Sequence, residues 1–211
     1  MKKRQNIVPI LKIKDLKKSF GDNHVLNGFS LNLYDAENLV LMGKSGSGKS
    51  VMIKCVVGLM QADSGTIEIM GKDITSLSHK EFNNLRTQIG FLFQGSALYD
   101  SMTVRENLEF PLRKFPEYAN KSEQLVLEAL ESVGLKSAID LMPEELSGGM
   151  KRRIALARAI ILRPKIIIYD EPTTGLDPIT SKEIIELMKG IQQKFKTSSL
   201  IITHDMDCAR V

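Results

Sequence analysis

Eight residues, Gly43-Lys44-Ser45-Gly46-Ser47-Gly48-Lys49-Ser50, constrain this chain more than any other feature. They fit the pattern G-x-x-x-x-G-K-[ST], with the apolar run Leu39 to Met42 before them and a helical pattern from Lys49 to Leu59 after them. Strand, glycine loop and helix in that order are the context the pattern requires. Glycines let backbone N–H groups turn inward around phosphates, and the helix N-terminus adds its positive end. Lys49 is then expected to reach the β- and γ-phosphates and Ser50 to ligate Mg²⁺. The expected phosphate cradle is Gly43, Lys44, Ser45, Gly46, Ser47, Gly48, Lys49 and Ser50, with Val51 next in line.

Composition sets broad limits. At 211 residues, with 43% hydrophobic and 26% charged, the chain suits one sizeable core. No run approaches the roughly 18 apolar residues of a membrane-spanning helix. The basic start is followed by Ile7 to Ile13, which Pro9 and Lys12 interrupt, so a signal peptide is not expected and a cytoplasmic place is. Cys55 and Cys208 lie far apart without metal-ligand or redox spacing, and buried thiols are expected. Net charge is +4, but Lys151-Arg152-Arg153 and Lys2-Lys3-Arg4 are scattered among acids, which reads as solvated surface rather than a nucleic-acid face.

Short apolar runs alternate with longer helical patterns, the rhythm of an α/β domain with a mostly parallel sheet. Val25 to Tyr34 alternates like a half-exposed strand, and Leu39 to Met42 reads as a short buried one. Thr66 to Met70, Ile89 to Phe93, Lys165 to Tyr169 and Ser199 to Thr203 also read as strands, the last three as buried because they barely alternate. From residue 95 to 146 the pattern is helical, including Thr103 to Arg113 and Ser122 to Val133. The expected division is a core of residues 1–94 and 147–211 with a helical subdomain at 95–146.

Ile166-Ile167-Ile168-Tyr169-Asp170-Glu171 is an apolar strand ending in two carboxylates. Alone, such a pair is more often a solvated turn; beside a phosphate loop, Asp170 is placed to hold Mg²⁺ and Glu171 to polarise an attacking water as general base. Leu146-Ser147-Gly148-Gly149-Met150 is followed at once by the helical pattern Lys151 to Leu162. Ser147 can cap that helix while Gly148 and Gly149 expose N–H groups, giving a second anion site.

This last motif resembles the signature sequence of ABC ATPases, and further matches follow the family's order along nearly the whole chain. The resemblance implies a P-loop fold with an antiparallel N-terminal β subdomain, ATP and Mg²⁺ as cofactors, and Mg²⁺-dependent hydrolysis coupled to transport. It implies a head-to-tail dimer, in which Ser147, Gly148 and Gly149 of one copy close on ATP held by the phosphate loop of the other. Phe20 resembles the aromatic that stacks on adenine, and Gln94 the Q-loop residue that contacts metal and water. Asp177 resembles the D-loop carboxylate at the dimer interface, and His204 the switch histidine that assists Glu171. Standing alone, a Phe or a His is more often structural; their order lifts them.

Val51, Met150, the segment Ser96 to Val104 and Leu176-Asp177-Pro178-Ile179-Thr180 together look like the Mla/Mce branch, which moves phospholipid or other lipid across the bacterial envelope. That likeness implies a membrane-embedded permease docking at Ser96 to Leu112, a periplasmic Mce-type lipid-binding protein, and attachment to the cytoplasmic face of the inner membrane. The alternatives are a cassette for another substrate such as lipoprotein or an amino acid, or a nucleic-acid-associated ABC ATPase, for which the expected second cassette, coiled coil or basic linker is not seen. Met150 stands where the signature usually has Gln. The chain stops at Val211, seven residues past His204, where family members continue, so a missing C-terminal part is expected.

Overall fold

The computed structural model describes residues 8–44 and 46–210. In chain order it contains strands β1 (Leu11–Phe20), β2 (Asn23–Leu33) and β3 (Asn38–Met42), helix α1 (Lys49–Val56), strands β4 (Ser64–Ile69) and β5 (Lys72–Asp73), helix α2 (His79–Arg86) and strand β6 (Ile89–Leu92). Helices α3 (Val104–Glu109), α4 (Ser122–Ser132) and α5 (Gly148–Ile160) follow, then β7 (Ile166–Asp170), α6 (Pro178–Phe195) and β8 (Ser198–Thr203).

Two four-stranded sheets organise these elements. One, in the order β2-β1-β4-β5, is antiparallel. The other, β3-β8-β7-β6, is parallel, with Ile168 opposite Leu200 and Val40 opposite Ile201. This is the α/β P-loop architecture with an antiparallel subdomain that the sequence led us to expect.

The parallel sheet is covered on both faces, and the period of two decides which residue goes where. Ile166, Ile168, Leu200 and Ile202 pack into a core shared with α1 and the antiparallel sheet, through Leu11, Ile13, Met52 and Ile69. Ile167, Tyr169 and Ile201 turn the other way, into a core with α3, α4, α5 and α6, where Leu108, Leu130, Ile154 and Ile184 are fully buried. The helical stretch between β6 and α5 therefore shares its core with the face of the sheet that carries Ile167 and Tyr169.

Several expectations shift. β7 and β8 are buried as expected, but β3 and β6 are half-buried; they flank the other two strands, so each has a neighbour on one side only among the described residues. α1 stops at Val56 rather than Leu59 because the chain turns at Gly58, with φ +67°. The helical pattern from Thr103 breaks into α3 and a separate 3-10 turn at Leu112–Lys114, split by Pro111. The basic run at 151–153 is not solvated throughout, since Arg152 is only 4% exposed.

Candidate functional site

The phosphate loop leaves β3 and enters α1 through Gly48, whose φ of +86° supplies no side-chain cap. The first N–H groups of α1 therefore have no side-chain partner at the cap, an arrangement suited to an anion. Gly48 tolerates little else: a Cβ there would meet the Val25 carbonyl oxygen at 2.8 Å in a backbone conformation disfavoured for L residues. Lys49 folds back along the loop, its Nζ donating to the carbonyls of Gly43 at 2.6 Å and Lys44 at 2.9 Å. Those contacts keep the cation over the loop concavity. Ser45 lies outside the described residues.

Around the loop is a cleft of about 520 Å³, lined by Gly43, Lys44, Gly46, Ser47, Gly48, Lys49, Ser50 and Val51 from one side and by Gln94, Asp170, Glu171 and His204 from the other. Parallel strands explain the convergence. Gln94 follows β6, Asp170 ends β7 and His204 follows β8, so the carboxyl ends of three neighbouring strands deliver their side chains to one edge. Val25 also lines the cleft; the alternation of β2 was legible, but nothing in it singles out Val25 as a wall of this site.

Glu171 sits just past β7 with φ +51°, a left-handed conformation rare for a residue with a Cβ. Its N–H donates to the Ile202 carbonyl at 2.8 Å, which holds the turn to β8. The carboxylate Oε2 lies 2.8 Å from His204 Nδ1 and accepts from Thr174 Oγ1 at 3.2 Å. Glu171 is mostly buried, its side chain 14% exposed, whereas His204 is 66% exposed. An enclosed, oriented carboxylate beside an open imidazole can take a proton from water at the cleft mouth.

Burial raises the pKa of the Asp170 carboxyl above its ordinary value; the neighbouring Glu171 adds to this, and Lys49 and Lys54 oppose it. Two adjacent carboxylates facing one cleft leave negative charge that a divalent cation can offset. Ser50, Gln94 and Asp170 offer only oxygen donors that suit Mg²⁺, an ion that takes few protein ligands and completes its shell with phosphate and water. Among the described residues there is no cluster of three or more His, Cys, Asp or Glu that could hold a metal.

Not every expected residue reaches this cleft. Phe20 ends β1, 49% exposed, with Lys18 Nζ 5.7 Å from its ring centroid, and it is not among the lining residues. Ser147, Gly148 and Gly149 lie at the start of α5, where Ser147 Oγ accepts from the Met150 N–H at 3.2 Å. Gly148 sits beside Leu176, and a Cβ on Gly149 would come within 2.7 Å of Thr180 Cγ2. The glycines thus let α5 begin against the start of α6. Asp177 caps α6, accepting from the N–H groups of Ile179 and Thr180 at 3.0 Å each; the Thr180 hydroxyl first, then these N–H groups, lower its pKa.

Fold and cleft together define a nucleotide-binding α/β domain of the P-loop class. The model of the ABC transporter family matches residues 26–174, and the chain belongs to that family. It is 43% identical to the methionine import ATP-binding protein MetN of Rhizobium johnstonii, over 95% of this chain and 56% of the relative. The probable ribonucleotide transport ATP-binding protein mkl of Mycobacterium leprae is 41% identical, over 95% of this chain and 58% of the relative. The chain thus spans a little over half the length of these relatives. Among solved structures, cbiO1 from Clostridium perfringens, part of the ABC transporter complex cbiONQ, superposes with a TM-score of 0.85 at 32% identity, covering 95% of this chain and 80% of that one. A dimeric post-hydrolysis state of the ATP-binding cassette MJ0796, bound to ADP and Pi, gives 0.84 at 32% identity, covering 95% and 90%.

Proposed function

We propose that this chain is the ATP-hydrolysing subunit of an ABC transporter, and that two copies close head to tail on two ATP molecules. The observation that carries this is the convergence of the uncapped start of α1, Lys49 and the paired Glu171 and His204 on one cleft. Lys49 and the loop amides bind and orient the β- and γ-phosphates. Ser50 and Asp170, with Gln94, hold the Mg²⁺, which when bound supplies charge neutralisation across the phosphates. Glu171 accepts the proton of a water aligned with the γ-phosphorus, while His204 and Gln94 fix that water. Ser147, Gly148 and Gly149, which do not line their own chain's cleft, serve the cleft of the second copy, and Asp177 lies at that contact. Phe20, exposed as an adenine platform must be before nucleotide arrives, stacks on the base. The helical segment 95–146 hinges on the core and passes closure to a permease in the membrane. No described helix is long and apolar enough to cross a bilayer, so the chain reaches the membrane face through that permease.

The cargo does not touch this subunit, so only indirect signs bear on it. The relatives named for methionine import favour an amino acid, methionine first, over the lipid implied by the Mla/Mce likeness, and they lend no support to an Mce-type partner. A relative of nearly equal identity is named for ribonucleotide transport. Lipid transport remains a second reading on Val51, Met150, Ser96–Val104 and Leu176–Thr180.

The test is the Mg²⁺-dependent ATPase rate of the complex purified with the membrane proteins encoded beside this chain. The assay adds L-methionine with the cognate soluble binding protein, or phospholipid vesicles. Stimulation by methionine supports import of an amino acid; stimulation by phospholipid moves the cargo to lipid. A complex that binds ATP without hydrolysing it overturns the ATPase reading.

A further inference from the structure

Arg152 is a buried cation with no carboxylate partner. Its side chain is 4% exposed, and it takes part in no ion pair among the described residues. It sits in the second turn of α5. Burying a guanidinium without an ion pair is costly, and here hydrogen bonds alone replace the lost hydration. Nη1 donates to the Phe93 carbonyl at 2.8 Å and Nη2 to the Thr174 carbonyl at 3.2 Å, while Nε has no partner.

Those two carbonyls belong to two different loops. Phe93 directly precedes Gln94, and the same carbonyl accepts from the Ser96 N–H at 3.0 Å. Thr174 follows Glu171, to which its hydroxyl donates, and precedes Gly175-Leu176-Asp177. A second arginine of α5 holds the far end of the first loop. Arg158 Nη2 donates to the Ser96 carbonyl at 3.1 Å, at a kink where Ser96 and Ala97 both have positive φ, +62° and +51°. One helix therefore grips the Gln94 loop on both sides and the Glu171–Asp177 loop at its middle.

We infer that Arg152 is a positioning residue that couples the start of α5 to Gln94 and to the Glu171–Asp177 loop, so that the three move as one unit when two copies close. α5 begins at Ser147–Gly149, the proposed contact with the second copy's nucleotide. A shift of that end relative to the sheet breaks one of the Arg152 bonds unless both loops follow. The guanidinium places two donor nitrogens apart in a rigid plane, one for each loop, whereas the single nitrogen of a lysine would have to lie within bonding distance of both carbonyls at once.

The inference rests on the ATPase reading, which turnover by the wild-type complex tests separately. Arg152→Met and Arg152→Lys are compared with wild type in the transporter complex, with kcat, ATP affinity by a fluorescent analogue, melting temperature, and hydrogen exchange of residues 91–99 and 172–178. Coupling predicts, for Arg152→Met, kcat reduced about tenfold or more with ATP affinity within about threefold, and faster exchange in both loops together. Arg152→Lys recovers part of kcat and protects one loop only. A merely structural role lowers melting temperature, affinity and kcat in parallel, and that result overturns the inference, as does kcat within about threefold of wild type. Where Arg152→Met does not fold, Arg152→Lys decides by the same split between kcat and affinity. A wild-type complex without turnover would sink the ATPase reading instead.

Discussion

Asp170 and Glu171 differ in surroundings, and the proposed division of their work follows that difference. Glu171 is tied by His204 and Thr174, whereas Asp170 is desolvated and repelled by its neighbour. A carboxyl whose pKa is raised on folding adds stability only at low pH and loses it as pH rises through the folded value, so at neutral pH ionised Asp170 opposes folding of the nucleotide-free chain. Asp170→Asn is therefore expected to raise the melting temperature of the free chain by a few degrees, about 2–4 °C per kcal/mol for a domain of this size. The same change is expected to remove most of the additional protection that Mg²⁺ gives with ATP. Thermal melts with and without Mg-ATP check both directions together. At this scale the phosphate loop was plain in the sequence, because glycine, lysine and serine at fixed spacing have few other uses. Arg152 was not: in a run with Lys151 and Arg153, nothing in residue type distinguishes the one cation whose helical phase turns it inward.

Among the elements, α3 shows how a short helix can organise what lies around it. Asn107 is fully buried, and its Oδ1 accepts from the Tyr99 N–H at 2.8 Å while Nδ2 donates to the carbonyls of Tyr99, Met102 and Thr103 at 3.0–3.1 Å. The loop from Tyr99 to Thr103 is wound on this one amide. Asn107→Ala takes the partner from the Tyr99 N–H and the Met102 carbonyl, while the Tyr99 and Thr103 carbonyls keep backbone donors, and is predicted to cost about 2–4 kcal/mol, at roughly 1–3 kcal/mol per unsatisfied group with partial relief by water. Urea unfolding measures it, and a cost below about 1 kcal/mol would show that the loop holds itself. Elements were legible where period and burial agreed, as in β7 and β8. β1 escaped notice because Asp15, at φ +50°, interrupts it. Leu11 and Ile13 face the core in one phase and Leu16 in the other, so the alternation resets midway, and Lys12, Lys14, Lys17 and Lys18 dilute what remains. α6 carries a clear spacing at Ile184, Met188 and Ile191, with no chemical motif to draw attention to it.

For the whole molecule, the unequal placement of the anion-binding features is the main fact. One helix start, that of α1, opens into the cleft with Lys49; the other, that of α5, lies beside the start of α6 and does not line the cleft. On the proposed reading a single copy holds two halves of two different sites, which a head-to-tail pair would make whole. Sequence could suggest this only through the family resemblance, since distance between two loops is a property of the fold. The account turns on water being activated by Glu171 within such a pair, and the most direct measurement is the Mg²⁺-dependent ATPase rate of Glu171→Gln in the transporter complex, alongside ATP binding. We predict unchanged ATP affinity with turnover reduced by roughly 10²–10⁴, the usual contribution of a positioned general base. Turnover near the wild-type rate would contradict it and remove Glu171 from the base role.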